Sequence, residues 1–188
     1  MQVNAKKVLT KTVFASIMFK IYKGEMMTVD LRPLIKGEQK ELKFDFEYDV
    51  SDLSPDLQSG VAVVSGSVVN HSGYMQLDAD ITVNANALCG RCDSYFDCVL
   101  KYGMQSPVAA QLVDADEHSE YLIAPDGMLD LDEAVRCFVS LSLPTRFLCR
   151  EDCKGLCPKC GHDLNDGDCG CDTREVDPRW AALKDYFD

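Results

Sequence analysis

Histidine is scarce in this chain, with three residues in 188, and tryptophan occurs once. His71, His118 and His162 are scattered, so no HExxH zinc-protease pair can form on a helix. No GxSxG nucleophile turn and no GxxxxGK[ST] phosphate loop is present. Acids are plentiful, but none stands out as a catalytic pair. The chain therefore reads as non-enzymatic. Long apolar runs are missing too. Lys20 interrupts the stretch from Val13 to Phe19, and nothing reaches the ~20 residues that a spanning helix needs. No small-residue cleavage site comes after the basic N-terminus. The expectation is a cytoplasmic chain with no membrane role.

Positive charge is also in deficit. There are 19 Lys and Arg against 31 Asp and Glu, a formal net charge of -12 and a sequence pI of about 4.6. Residues 1–25 hold five lysines and one acid, a net of +4, so the rest of the chain carries -16 against the total of -12. A body this acidic repels phosphate backbones, because nucleic-acid affinity comes largely from Lys and Arg displacing counterions. A broad nucleic-acid surface is thereby disfavoured. A basic partner protein suits it better, with simple solubility as the plain alternative. Residues 1–26 read as a dispensable or mis-assigned extension, because Met26-Met27 is followed by what looks like the start of an ordered chain.

What the chain does have is thiol. Six of its ten cysteines lie in CREDCKGLCPKCGHDLNDGDCGC, from Cys149 to Cys171. Cys157 and Cys160 sit three apart on a turn that continues into Gly161, and Cys169-Gly170-Cys171 lies a short loop away. Two such thiolate pairs can complete a tetrahedron around one ion, the demand of a structural zinc site. A segment this polar cannot bury enough apolar surface to hold itself. Zinc is favoured over iron–sulfur or redox use, and over disulfides, because clustered thiols in a reducing compartment are more often metal ligands. Cys149 and Cys153 are spare in that scheme, and either can replace a sulfur of the Cys169–Cys171 pair. His162 is a further candidate ligand, read more readily as a polar surface residue.

A second pair, Cys89-Gly90-Arg91-Cys92, lies between two strand-like stretches. It reads as half of a zinc site completed from elsewhere, as a redox pair, or as a structural turn. The redox reading wants a helix N-terminus to depress a thiol pKa. The next residues, DSYFDCVLKY, read as strand instead.

Alternation predicts strands at Leu42–Tyr48, Gly60–Val69, Tyr74–Asn84 and Tyr95–Tyr102, and one more at Val108–Val113. Asn70 to Gly73 supplies a hairpin turn, and Gly66 marks a bulge or a close backbone approach. At Asp130 the period becomes helical. Asp130 and Glu133 form a capping-box pattern, Leu131, Val135, Phe138 and Val139 recur at helical spacing, and Pro144 ends the run. Cys98 and Cys137 read as small buried hydrophobes. Asp177-Pro178 opens a short C-terminal helix with Trp180, Leu183 and Phe187 on one face. The fold class expected is α+β: an antiparallel β-sheet or partly open barrel with one or two helices and a small zinc-ribbon-like element. The expected division is 27–145 as a β-rich core with its helix, 146–173 as a zinc-binding module, and 174–188 as a closing helix.

Several of these segments together resemble one family. ALCGRCDSYF is similar to its C-x-R-C motif at a strand end. Gly127 to Pro144 resembles its acidic-start helix closing in LxLP. CKGLCPKCGHDLN followed by CGC resembles the zinc-ribbon-like element of many Gram-positive-type members, and DPRWAALKDYF its closing DPR-x-x-x-L. The family is YceD, the large ribosomal RNA subunit accumulation proteins. The resemblance implies a cytoplasmic factor for 23S ribosomal RNA accumulation, tied to large-subunit assembly. Family genes commonly neighbour one for a small large-subunit ribosomal protein. It also implies that Cys89, Arg91 and Cys92 stand nearer the shared function, since some members keep that pair and lack the C-terminal cysteines. The partner expected is a basic ribosomal protein or an early large-subunit particle, with direct RNA contact left open. A zinc-ribbon nucleic-acid module, resting on Arg150, Lys154 and Lys159, and a thiol redox or metal sensor are the alternatives.

Overall fold

The computed structural model describes residues 27–110 and 121–172. The N-terminal extension and the expected C-terminal helix lie outside these. Among the described residues, seven strands and two α-helices are formed: β1 (Thr28–Asp30), α1 (Arg32–Ile35), β2 (Glu41–Asp49), β3 (Leu57–His71), β4 (Tyr74–Leu88), β5 (Tyr95–Ala109), β6 (Leu122–Ile123), β7 (Met128–Asp130) and α2 (Leu131–Ser142). Strands β2 to β6 make one sheet in sequence order, and β1 pairs with β7 in a two-stranded ribbon. The sheet is open among the described residues, not a closed barrel. Strand β6 runs parallel to β5, pairing Val108 with Leu122 and Ala109 with Ile123. The fold is thus α+β with a mainly antiparallel sheet. The strand expected at Val108–Val113 is, where described, the end of β5.

The alternation in β4 explains why it is a strand with one buried face. Met75, Leu77, Ala79, Ile81, Val83, Ala85 and Ala87 are all buried, and every residue between them is more exposed. Side chains alternate across a strand, so one hydrophobic set defines one core face. The hairpin between β3 and β4 closes on Ser72 and Gly73. Both sit at positive φ (60° and 105°), as tight two-residue turns require. The Asn70 side chain supports the turn by accepting the Gly73 N–H at 2.7 Å. Gly66 faces β4 at close quarters: a Cβ there would lie 2.3 Å from the Asp78 carbonyl oxygen and 2.8 Å from the Ala79 Cα.

Helix α2 starts as its sequence dictates. The Asp130 carboxylate accepts the Glu133 N–H at 3.0 Å, satisfying one of the open donors of the first turn. The Leu131 N–H reaches the Met27 carbonyl, and the Asp132 carboxylate accepts the Met27 N–H at 2.8 Å, tying the helix start to the chain before β1. Asp130→Ala is expected to cost about 1 kcal/mol, read as a lower urea midpoint with an unchanged slope. Leu131, Ala134, Val135 and Val139 are buried. Cys137 is exposed, correcting the buried reading, and Cys98 is half-buried. Two residues from both Val135 and Val139, Cys137 stands about 200° around the helix from the buried stripe.

The chain divides into two compact units. One comprises Met1–Tyr48, Val63–Ile81 and Gly103–Ala134; the other comprises Asp49–Ala62, Thr82–Tyr102 and Val135–Asp188. In the first, Leu31, Leu34, Leu77, Ile81, Leu129 and Leu131 are almost fully buried. In the second, Val50, Val83, Val135 and Val139 are buried, and so are four cysteines, Cys89, Cys92, Cys153 and Cys157. All the cysteines of the two thiol segments belong to this second unit.

Candidate metal centres

Eight cysteines converge into two sets of four. Cys89, Cys92, Cys149 and Cys153 form one, and Cys157, Cys160, Cys169 and Cys171 the other; within each, the sulfurs lie within 4.8 Å of one another. Each set can hold a metal ion. The second is the arrangement favoured from spacing. In the first, the two spare thiols join the pair at the end of β4. His162 belongs to neither set, and it contributes its backbone carbonyl, which accepts the Cys157 N–H at 2.8 Å.

Both CxxC pairs stand on the same kind of turn. In one, the Asp93 N–H donates to the Cys89 carbonyl at 3.0 Å, and the Cys89 N–H donates to Ser94 at 2.9 Å. In the other, the Gly161 N–H donates to the Cys157 carbonyl at 2.9 Å, and the Cys157 N–H donates to His162 at 2.8 Å. The residue after the second cysteine has positive φ in each case, 53° at Asp93 and 74° at Gly161. Such a turn aims two backbone N–H groups at the first sulfur and makes a pocket for negative charge; at Cys89 the Cys149 N–H adds a third. The Cys160 and Lys159 N–H groups hold the Cys157 thiol down at about 6. Burial pushes the Cys89 thiol up, but the N–H groups of Cys149, Cys92 and Arg91 outweigh it and leave it at about 6.

The last thiol of each set behaves oppositely. Burial, then the sulfurs of Cys153, Cys89 and Cys92, push Cys149 up to about 12. The sulfurs of Cys160 and Cys169, then burial, push Cys171 up to about 12. Four thiols this close cannot all ionise without a compensating charge. A dication supplies that charge, which is why a coordinating thiol deprotonates outright.

Distances in the first set fit one ion. Cys89 and Cys153 sulfurs are 3.8 Å apart, and so are those of Cys92 and Cys149. Sulfurs at about 2.3 Å from a tetrahedral zinc lie about 3.8 Å from each other. A disulfide would need about 2.05 Å. All these cysteines are free thiols.

The surroundings of the first set are dry and well tied. Phe96, Leu148 and Leu156 pack against the buried cluster of Cys89, Cys92 and Cys153. The Gly90 N–H donates to the Phe147 carbonyl at 2.9 Å, and the Leu156 N–H donates to the Arg91 carbonyl at 3.1 Å. The Arg91 guanidinium reaches the carbonyls of Glu151 at 3.0 Å and Cys153 at 2.8 Å, so it braces the loop that carries two of the sulfurs. Asn165 escaped the reading by motif. Its side-chain amide donates to the Cys153 sulfur at 3.4 Å, lowering that thiol's pKa, and its oxygen accepts the Lys154 N–H at 2.8 Å. The only hint in the sequence was the run GHDLN, where a turn-forming Asn comes after the knuckle.

The family profile described as large ribosomal RNA subunit accumulation protein YceD matches residues 77–186, more than half of the chain and the whole of both thiol sets. The chain belongs to the YceD family. An uncharacterized protein of Mycobacterium tuberculosis strain H37Rv is 39% identical over 70 residues, 37% of this chain and 33% of its own length. One of Mycobacterium leprae is 30% identical over 111 residues, covering 57% of this chain and 50% of the relative. The chloroplastic YCED homolog 1 of Arabidopsis thaliana, named as a large ribosomal RNA subunit accumulation protein, is 34% identical over 55 residues, 29% of this chain and 17% of its own. The chain thus spans half or less of the length of these curated relatives. No solved structure matches it. Among the described residues, no helix is long and apolar enough to cross a membrane.

Proposed function

We propose that this chain supports the accumulation of large-subunit (23S) ribosomal RNA in the cytoplasm, as a non-enzymatic factor in large-subunit assembly. The observation that carries the reading is membership of the YceD family over residues 77–186. Zinc held by Cys157, Cys160, Cys169 and Cys171 is its structural element. The donor set is all sulfur, leaving no protein ligand position open for catalysis, which is the pattern of structural sites.

The route we favour runs through protein. A net charge of -12 disfavours a grip on phosphate and favours a basic surface. The acidic body engages a basic ribosomal protein or an early particle, and the RNA is spared from decay as a consequence. Charge complementarity of this kind raises association rates and suppresses wrong partners.

The test is the ratio of large- to small-subunit ribosomal RNA in cells lacking the chain, with rescue by wild type. A fall of severalfold, restored by wild type, is the expected result; an unchanged ratio removes the reading. For the route, pull-down at low salt should recover a large-subunit ribosomal protein and lose it as ionic strength rises. Recovery of RNA alone, with a steep salt slope, would put direct phosphate contact in its place.

A further inference from the structure

Sequence spacing accounts for one zinc. The geometry points to two. We propose that Cys89, Cys92, Cys149 and Cys153 form a second, closed zinc site, filled independently of the first, that clasps the turn between β4 and β5 to chain lying about 60 residues downstream. This goes beyond the ribosomal reading and stands without it.

Three observations converge. The sulfurs already sit at tetrahedral separations, 3.8 Å for Cys89 to Cys153 and 3.8 Å for Cys92 to Cys149. The Cys89 turn repeats, bond for bond, the backbone pattern of the Cys157 turn. Hydrogen bonds reach the sulfurs from outside, with Asn165 on Cys153 at 3.4 Å and the Cys149 N–H on Cys89 at 3.5 Å. Donors of that kind orient ligands and stabilise thiolate charge, the supporting layer that metal sites characteristically carry. Structural disulfides need none of it.

The two sites differ in access. In the first set Cys89, Cys92 and Cys153 are 0%, 7% and 3% exposed and only Cys149 is half-buried, whereas in the second only Cys157 is buried, Cys160 is exposed, and Cys169 and Cys171 are half-buried. A chelator in water reaches the Cys157 set first. Zinc should therefore leave in two steps, one ion each, the slower from the Cys89 set.

Metal analysis of the full chain purified under reducing conditions tests this. Two zinc ions per chain are expected. A chromophoric chelator should draw them off in a fast and a slow phase of equal amplitude. Cys157→Ser should lose the fast phase and keep one ion; Cys153→Ser should lose the slow phase and keep one. One ion per chain in the wild type, or loss of both ions in Cys157→Ser, would overturn the proposal. Should Cys153→Ser fail to fold, cadmium-113 exchanged into the wild-type chain decides the matter. Two resonances in the all-sulfur region support two sites, and a single one overturns them.

Discussion

Full chelation under reducing conditions is expected to melt the chain around Cys157–Cys171 while the sheet survives. The reason lies in how little else holds that stretch. From Lys154 to Asp172 only Gly155 and Cys157 are buried alongside partly covered neighbours, and most residues are exposed. The other ties are hydrogen bonds and one isolated bridge, Leu156 with Asp163: they include the Leu156 N–H on the Arg91 carbonyl, the Leu164 N–H on the Gly155 carbonyl, the two bonds of the Cys157 turn, and the turn bonds of Asn165 and Gly170. Ordering a residue costs on the order of 1–2 kcal/mol of backbone entropy, far more than a handful of exposed hydrogen bonds returns. Structural zinc supplies roughly 10–16 kcal/mol of apparent binding energy, and in such modules that is the folding energy. Amide exchange should report it directly. The Cys157 and Gly161 amides should lose their protection on chelation, on the order of 100-fold or more given that energy. The β4 amides of Leu77 and Ile81 should keep theirs. Equal loss in both places would mean that the metal holds the whole molecule, and no loss at Cys157 would mean that the thiols are not its ligands.

The second large effect is expected at Gly66. Replacing it with Ala puts a Cβ 2.3 Å from the Asp78 carbonyl oxygen and 2.9 Å from the Ala79 Cβ. The obstacle is backbone, so no rotamer change can relieve it, and the two central strands must part locally. Overpacking costs typically about 1–3 kcal/mol, and a backbone collision belongs at or above the top of that range. Gly103→Ala is the control. Its Cβ would meet nothing within 4 Å, so the change should be near neutral or slightly stabilising through the unfolded chain. Guanidinium unfolding of both variants checks the contrast. Equal midpoints would show that β3 and β4 lie farther apart at Gly66 than the structure places them.

Gly66 also shows what could be read in advance. A lone glycine inside a strand pattern signals close approach, and the approach is there. The strands announced themselves because alternation reports which face is buried, and β4 alternates without a break. Alternation does not report a partner. The parallel placement of β6 beside β5 and the pairing of β1 with β7 were invisible for that reason. The two-residue β6 is too short to carry any period, and so is the three-residue β1. Cys137 was misread because its residue type favours burial while its helix position does not. The thiol segment was legible by the same rule of locality. Cys157, Cys160, Cys169 and Cys171 lie in one short run, and spacing alone brings them together. Cys149 and Cys153 also lie in that run, which made them look like spares. Their partners sit across the sheet-forming sequence, where only the folded β4–β5 turn delivers Cys89 and Cys92 to them.

That difference in locality sets a timetable for assembly. The Cys157 set lies within one short run, so in an unfolded chain it can gather without any strand being paired. The Cys89 set must close loops spanning 57 and 64 residues, and closure entropy grows with the logarithm of loop length, by about 0.6 kcal/mol per doubling. When the full-length unfolded chain refolds with metal present, the local four would therefore withdraw from the pool of competing thiols first. The refolding chain is thereby sorted: an early ion removes the sulfurs most able to capture Cys149 and Cys153 wrongly, and the long-range clasp forms last, once β4 and β5 are in place.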